Sequence, residues 1–248
     1  MLDISTYGSG RDVVALHGLP VPPESLAAIT DNLAESYRVV VPDLFGLGKA
    51  PGEAIEELAS TLRSLNLDTF AVVGHSFGAY QAFQLALHYD LNIEKIFALS
   101  PLVYYPEDVL AGYRELADAI EAGLADPAEV LLDLWFTPQF IEDHPEVAPM
   151  LRRWLDELGI DGLLTAARTE AGGPDLRSEL GDLDIPVGIR VGSRDGATPP
   201  EWSREIAELL PRARLEVVDG KGHFLQYEDP KATVAAVVDF LAIDDRNR

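Results

Sequence analysis

The chain has 248 residues, no cysteine, and 19 Lys and Arg against 42 Asp and Glu, for a formal net charge of −23. Without thiols it has neither disulfides nor thiolate metal sites, and so acidic a sequence lacks the clustered cations that nucleic acid or an anionic bilayer requires. The charge fits a salt-rich medium that screens carboxylate repulsion, and it fits ordinary solubility equally well. Met1 to Gly10 lacks the basic start and apolar run of a signal peptide, and no apolar run approaches the roughly 20 residues of a bilayer span. A cytoplasmic protein without membrane or nucleic-acid partners is the expectation, with no support for or against a homo-oligomer.

In chain order, Leu2 to Tyr7 alternates weakly and predicts an edge strand closed by Gly8-Ser9-Gly10. Val13 to Leu16 is a short apolar run, the pattern of a buried parallel strand, and ends in His17-Gly18-Leu19-Pro20 ahead of a helix over 24–35. Tyr37 to Val41 predicts another buried strand, then the turn-rich Pro42-Asp43-Leu44-Phe45-Gly46-Leu47-Gly48 and a helix over 53–65. Phe70 to Val73 is a strand running into Gly74-His75-Ser76-Phe77-Gly78, and a helix to Tyr89 carries Ala79, Ala82, Phe83 and Ala86 at helical spacing. Ile93 to Leu99 completes the first strand set. From Leu102 to Asp182 the signals are helical, over 107–123, 127–135, 146–158 and 162–171, with prolines between them. Strands return at 185–191 and 215–218, with helices over 198–210 and 229–241 and a polar tail from Ile243 to Arg248. Alternating strand and helix predicts a parallel sheet covered on both faces, interrupted by a helical insertion.

The stretch 74–78 fits GxSxG, a sharp turn that pushes the serine hydroxyl out at the carboxyl end of a strand. Such a nucleophile needs an acid and a base on later strand ends, in that chain order. His223, in the glycine-rich loop after the last strand, is the base by position; His88 lies far along the elbow helix and His144 lies in the insertion. Asp195 follows the penultimate strand in Gly192-Ser193-Arg194-Asp195-Gly196, a better place for the acid than Asp43 or Asp219. The amides of Phe77 and Leu19 are the candidate oxyanion donors. His17 reads as a structural histidine bracing that loop. The segment Gly46-Leu47-Gly48-Lys49 fails as a phosphate loop, because Asp43 and Ala50 occupy positions that require Gly and Ser or Thr. Dispersed histidines give no metal motif, so no cofactor is expected. Of the insertion's aromatics, Tyr104, Tyr105, Trp135 and Phe136 are the candidate substrate contacts, and about half of the set is expected to face a pocket.

Taken together, His17 to Pro20, Asp43 to Gly48, Gly74 to Gly78, Gly192 to Pro199, and Gly222-His223-Phe224 with Glu228-Asp229-Pro230 make the chain resemble the α/β hydrolase fold superfamily, in its lidded esterase, haloperoxidase and C–C hydrolase branch. The resemblance implies a mostly parallel central sheet with helices on both faces. It also implies a core of 1–101 and 183–248, with 102–182 as a helical cap inserted after the sixth strand. The implied activity is a serine hydrolase of the catalytic set Ser76, Asp195 and His223, acting on a small or medium, partly hydrophobic ester or related carbonyl compound. Acyl transfer, C–C hydrolysis and cofactor-free haloperoxidation use the same machinery and stay open, as does a ligand receptor that retains the triad. The sequence departs from its relatives at Gly46 to Ala50, where they usually read Gly-His-Gly-Arg-Ser, and at Ala79, where many have glycine. His75 replaces the Asn common before the serine of C–C hydrolases and leans toward esters.

Overall fold

The structure is a computed structural model that describes residues 1–44 and 51–243. The departure at Gly46 to Ala50 and the tail from Asp244 onward therefore lie outside the described residues.

Strand β1 (Ile4–Gly8) runs antiparallel to β3, and every other pairing in the sheet is parallel. Strand β2 (Arg11–Leu16) is followed by a 3₁₀ turn and helix α1 (Ala27–Leu33), then β3 (Tyr37–Pro42) and α2 (Pro51–Ser64). The central unit is β4 (Phe70–His75), α3 (Phe77–His88) and β5 (Ile93–Leu99). After the intervening helices come β6 (Val187–Gly192), α8 (Pro200–Leu209), β7 (Ala213–Val218), the short α9 (Leu225–Glu228) and α10 (Pro230–Ala242). The seven strands among the described residues are ordered β1-β3-β2-β4-β5-β6-β7.

Side chains alternate across a strand, so a strand buried on both faces must be apolar at every position. Val14, Leu16, Val40, Val72, Ile96 and Ile189 face one layer with α2, α3 and α8. Their neighbours Val13, Ala15, Val39, Ala71, Val73 and Phe97 face the other, with α1 and α10. The continuous apolar runs of the sequence are thus the central strands of a two-sided sheet.

Between β5 and β6 lie α4 (Glu107–Glu121), α5 (Pro127–Trp135), α6 (Pro138–Asp143) and α7 (Val147–Ala171). Helix α6 has no counterpart in the sequence reading, whereas the two helices expected over 146–158 and 162–171 are both present, joined within α7 by a non-helical kink at Gly159, whose φ is 72°. The segment follows the fifth strand of this chain, which corrects the sixth-strand position carried by the resemblance. The residues themselves supply five strand signals before Leu102, and the sheet agrees with them. These helices bury their own cluster, including Ile120, Trp135, Leu151, Trp154 and Leu163, and the cluster is continuous with Val21 and Phe224 of the two loops at the sheet's carboxyl edge. Among the described residues no helix is long and apolar enough to cross a membrane.

Candidate active site

Ser76 lies at the junction of β4 and α3 with φ 53° and ψ −122°, a backbone conformation that L residues avoid and that persists when the surroundings over-determine it. Its N–H donates to Leu99 O at 2.9 Å, and its carbonyl accepts from Ala79 and Tyr80 to open the helix. Gly78 is required by close approach: a Cβ there would lie 2.1 Å from Leu16 O. The N–H of Phe77, first in α3, has no intrahelical acceptor and sits at the positive end of the helix dipole. Across from it, Leu19 and Pro20 line the same cavity as Ser76.

His223 Nδ1 stands 2.9 Å from Asp195 Oδ2 and 3.0 Å from Oδ1, and both residues are buried. Asp195 Oδ1 also accepts from Ala197 N–H at 3.0 Å and Thr198 N–H at 2.8 Å, and Thr198 Oγ1 lies 3.0 Å from Oδ2. Here the carboxylate is the acceptor for every surrounding donor, so Nδ1 is the ring nitrogen that donates to it and Nε2 is left facing away from it with a free lone pair. Ser76 and His223 line one cavity. The rival acids and bases are engaged elsewhere: Asp219 with Ser193 Oγ, His88 with Glu179, and His144 with Glu146.

Two further histidines support this edge as neutral groups. Burial, opposed by the Gly18 hydrogen bond, lowers the His17 pKa to about 4. His17 Nδ1 donates to Gly18 O at 2.8 Å and Nε2 accepts from Leu44 N–H at 2.8 Å, which ties the Leu19 loop to the loop after β3 as the sequence reading expects. His75 is pushed well below the ordinary range by burial and then by His223 beside it. Its Nε2 donates to His223 O at 3.2 Å, with the rings 4.8 Å apart. The sequence alone assigns no role to Thr198 or Ser100. Yet Ser100 Oγ donates to His223 O at 3.0 Å, and Thr198 Oγ1 lies 3.0 Å from Ser100 O. The signal was available in their places, directly after β5 and in the loop carrying Asp195.

The cavity is walled by the helical segment through Tyr105, Tyr113, Ile120, Leu131, Leu134, Trp135 and Leu163, and by Thr198 and Leu19 from the core. Among the described lining residues none carries a formal charge apart from the titratable imidazole of His223. Of the four candidate aromatic contacts, Tyr105 and Trp135 line it. Tyr104 and Phe136 lie outside the lining. The Tyr104 ring lies under the Arg177 guanidinium at 3.5 Å and its hydroxyl bonds Glu205. Phe136 stacks on Phe224 and Phe140 inside the segment's own core. Both satisfy local packing, which aromatic residues do as readily as they contact ligands.

The alpha/beta hydrolase family model matches residues 13–237. The magnesium-chelatase 30 kDa subunit of Rhodobacter capsulatus is 28% identical over 94% of this chain and 87% of its own length. The 2-hydroxymuconate semialdehyde hydrolase of Pseudomonas sp. (strain CF600) is 26% identical over 96% and 89%. Among solved structures, a thermophilic esterase from Thermogutta terrifontis (malate bound) superposes with a TM-score of 0.86 at 25% identity, covering 97% of this chain and 92% of that one. With the family model matching residues 13–237, from β2 into α10, this chain belongs to the α/β hydrolase family.

Proposed function

We propose that the protein is a serine hydrolase that cleaves a small-to-medium, neutral and partly hydrophobic carboxylic ester through an acyl-enzyme. The observation that carries this reading is a buried Asp195–His223 pair whose imidazole lines one apolar cavity with a strained Ser76. His223 Nε2 takes the Ser76 proton as Oγ attacks the carbonyl carbon, and the imidazolium is stabilised by Asp195. The N–H groups of Phe77 and Leu19 receive the oxyanion. The tetrahedral species collapses, the alkoxide leaves with the proton from His223, and water attacks the acyl-Ser76 carbonyl with the same imidazole as base. Residues 102–182 serve as a cap that gives the acyl group its apolar surroundings. A charged substrate would lose its hydration there with no opposite charge on the wall in return. A fluorophosphonate probe labels the wild type and leaves Ser76→Ala unlabelled; equal labelling of both proteins contradicts the assignment.

A second reading, C–C hydrolysis on the same residues, draws on the 26% identical 2-hydroxymuconate semialdehyde hydrolase. Turnover of a vinylogous diketone in preference to an ester panel would establish it in place of the first.

A further inference from the structure

The backbone of His223 is held from both sides. Its carbonyl accepts from Ser100 Oγ and His75 Nε2, both groups of the sheet edge. Its N–H donates to Trp135 O at 2.8 Å, and Trp135 closes α5 and lines the cavity. The wall of the pocket is thereby in direct contact with the peptide that carries the imidazole.

One buried carboxylate spans the same junction. Glu228, on the short helix α9, is 6% exposed. Its Oε1 accepts from Thr137 N–H at 2.7 Å, and its Oε2 accepts from Thr137 Oγ1 at 3.0 Å and from Gly222 N–H at 3.2 Å. Two of these donors belong to the turn between α5 and α6, and the third belongs to the residue before His223. The packing leaves no slack: a Cβ on Gly222 would lie 2.8 Å from Glu228 Oε1 and 2.8 Å from Trp135 O. A buried carboxylate costs several kcal/mol unless donors converge on it. Thr137 alone would satisfy one that merely capped the α5–α6 turn. The bond to Gly222 extends the contact to the loop of the base.

We propose that Glu228 is a positioning residue, whose carboxylate staples the Trp135–Thr137 turn to the Gly222–His223 peptide so that the pocket wall and the base are set in place together. The proposal rests on the reading of His223 as general base. Removing the staple leaves the Asp195–His223 bond intact and lets the imidazole shift relative to Ser76. Displacements of about 1 Å from productive geometry cost up to roughly 10²-fold in rate. Most of the wall, including Ile120, Leu131 and Leu134, stays where it is, so the loss falls on kcat.

The test measures kcat and KM for a p-nitrophenyl ester in the full chain, for Glu228→Gln, Thr137→Val, Thr137→Ser and the Glu228→Gln/Thr137→Val double variant. Glu228→Gln lowers kcat by about tenfold or more with KM within about twofold. Thr137→Val lowers it less, Thr137→Ser restores the wild-type value, and the double variant is no slower than Glu228→Gln alone, because the two side chains act as one unit. Thr137 also caps α6 through Phe140 N–H, so thermal melts of each variant separate a loss of folded protein from a loss of rate. If Glu228→Gln does not fold, the Thr137→Val and Thr137→Ser pair decides. A folded Glu228→Gln with wild-type kcat, a loss confined to KM, or losses that multiply in the double variant overturns the proposal. Turnover retained by His223→Ala would instead overturn the catalytic reading on which it rests.

Discussion

The carboxyl edge of the sheet and the helical segment facing it are held in different ways. At the edge each catalytic candidate is tied by its own backbone or by a buried polar partner: Ser76 N–H to Leu99 O, Asp195 by two loop amides, and the His223 carbonyl by Ser100 Oγ and His75 Nε2. The segment is held by apolar burial around Trp135, Leu151, Trp154 and Leu163, with a few polar tethers such as Arg153 and Trp154 Nε1 to Glu24. Hydrogen-bond geometry accepts few residue types, whereas apolar burial tolerates volume-conserving exchange. The chemistry is therefore confined to the edge, and the shape of the pocket is free to vary except where the wall is tied to the base, at Trp135 and Thr137.

The sharpest break in that comparison is an edge substitution that keeps size and removes charge. Asp195→Asn leaves the Ala197 and Thr198 amides their acceptor but lets the amide favour the wrong imidazole tautomer, so kcat falls by about 10³ to 10⁴-fold with KM little changed, as steady-state kinetics will show.

Acid strikes the same edge. His17 and His75 are neutral when folded, with pKa values below the ordinary 6.5 through burial. Below pH 6.5 the unfolded chain takes up protons that the folded protein refuses. The stability from these groups is therefore complete above 6.5 and is lost as pH falls below it, for His17 down through about 4. His17 alone accounts for on the order of 3 kcal/mol. Urea midpoints from pH 7 to 4 measure the decline, and a flat profile would show that these histidines are not buried.

On the wall, Leu131→Asp places a carboxylate in an uncharged lining. It lowers kcat/KM for a medium-chain ester by about tenfold to a hundredfold, the worth of one buried side chain, while Ser76 still reacts with a small fluorophosphonate. The smallest effect belongs to Glu24→Gln. Arg153 and Glu24 are each more than half exposed, so losing this tether costs within about 1 kcal/mol in a thermal melt.

How much was legible in the sequence follows the same division. The parallel strands declare themselves as apolar runs because both faces are covered, and Ser76, Asp195 and His223 stand at their ends in an order that the fold imposes. Substrate contacts did not declare themselves. Tyr105 and Trp135 face the cavity, while Tyr104 and Phe136, their immediate chain neighbours, pack against Arg177 and Phe224. Which way a residue faces is set by where each helix begins, and the short α6 has no signal in the sequence reading, while the two helices meeting at Gly159 do. Thr198, Ser100 and Glu228 were legible as residues but not as partners, since their hydrogen bonds join positions distant in sequence or hidden in a loop.

Trapping the acyl-enzyme tests the central claim most directly. After rapid mixing with a p-nitrophenyl ester and acid quench, the account predicts a mass increase of one acyl group on the peptide containing Ser76, absent in Ser76→Ala. Turnover at the wild-type rate by Ser76→Ala, with no acyl group on that peptide in either protein, would contradict it.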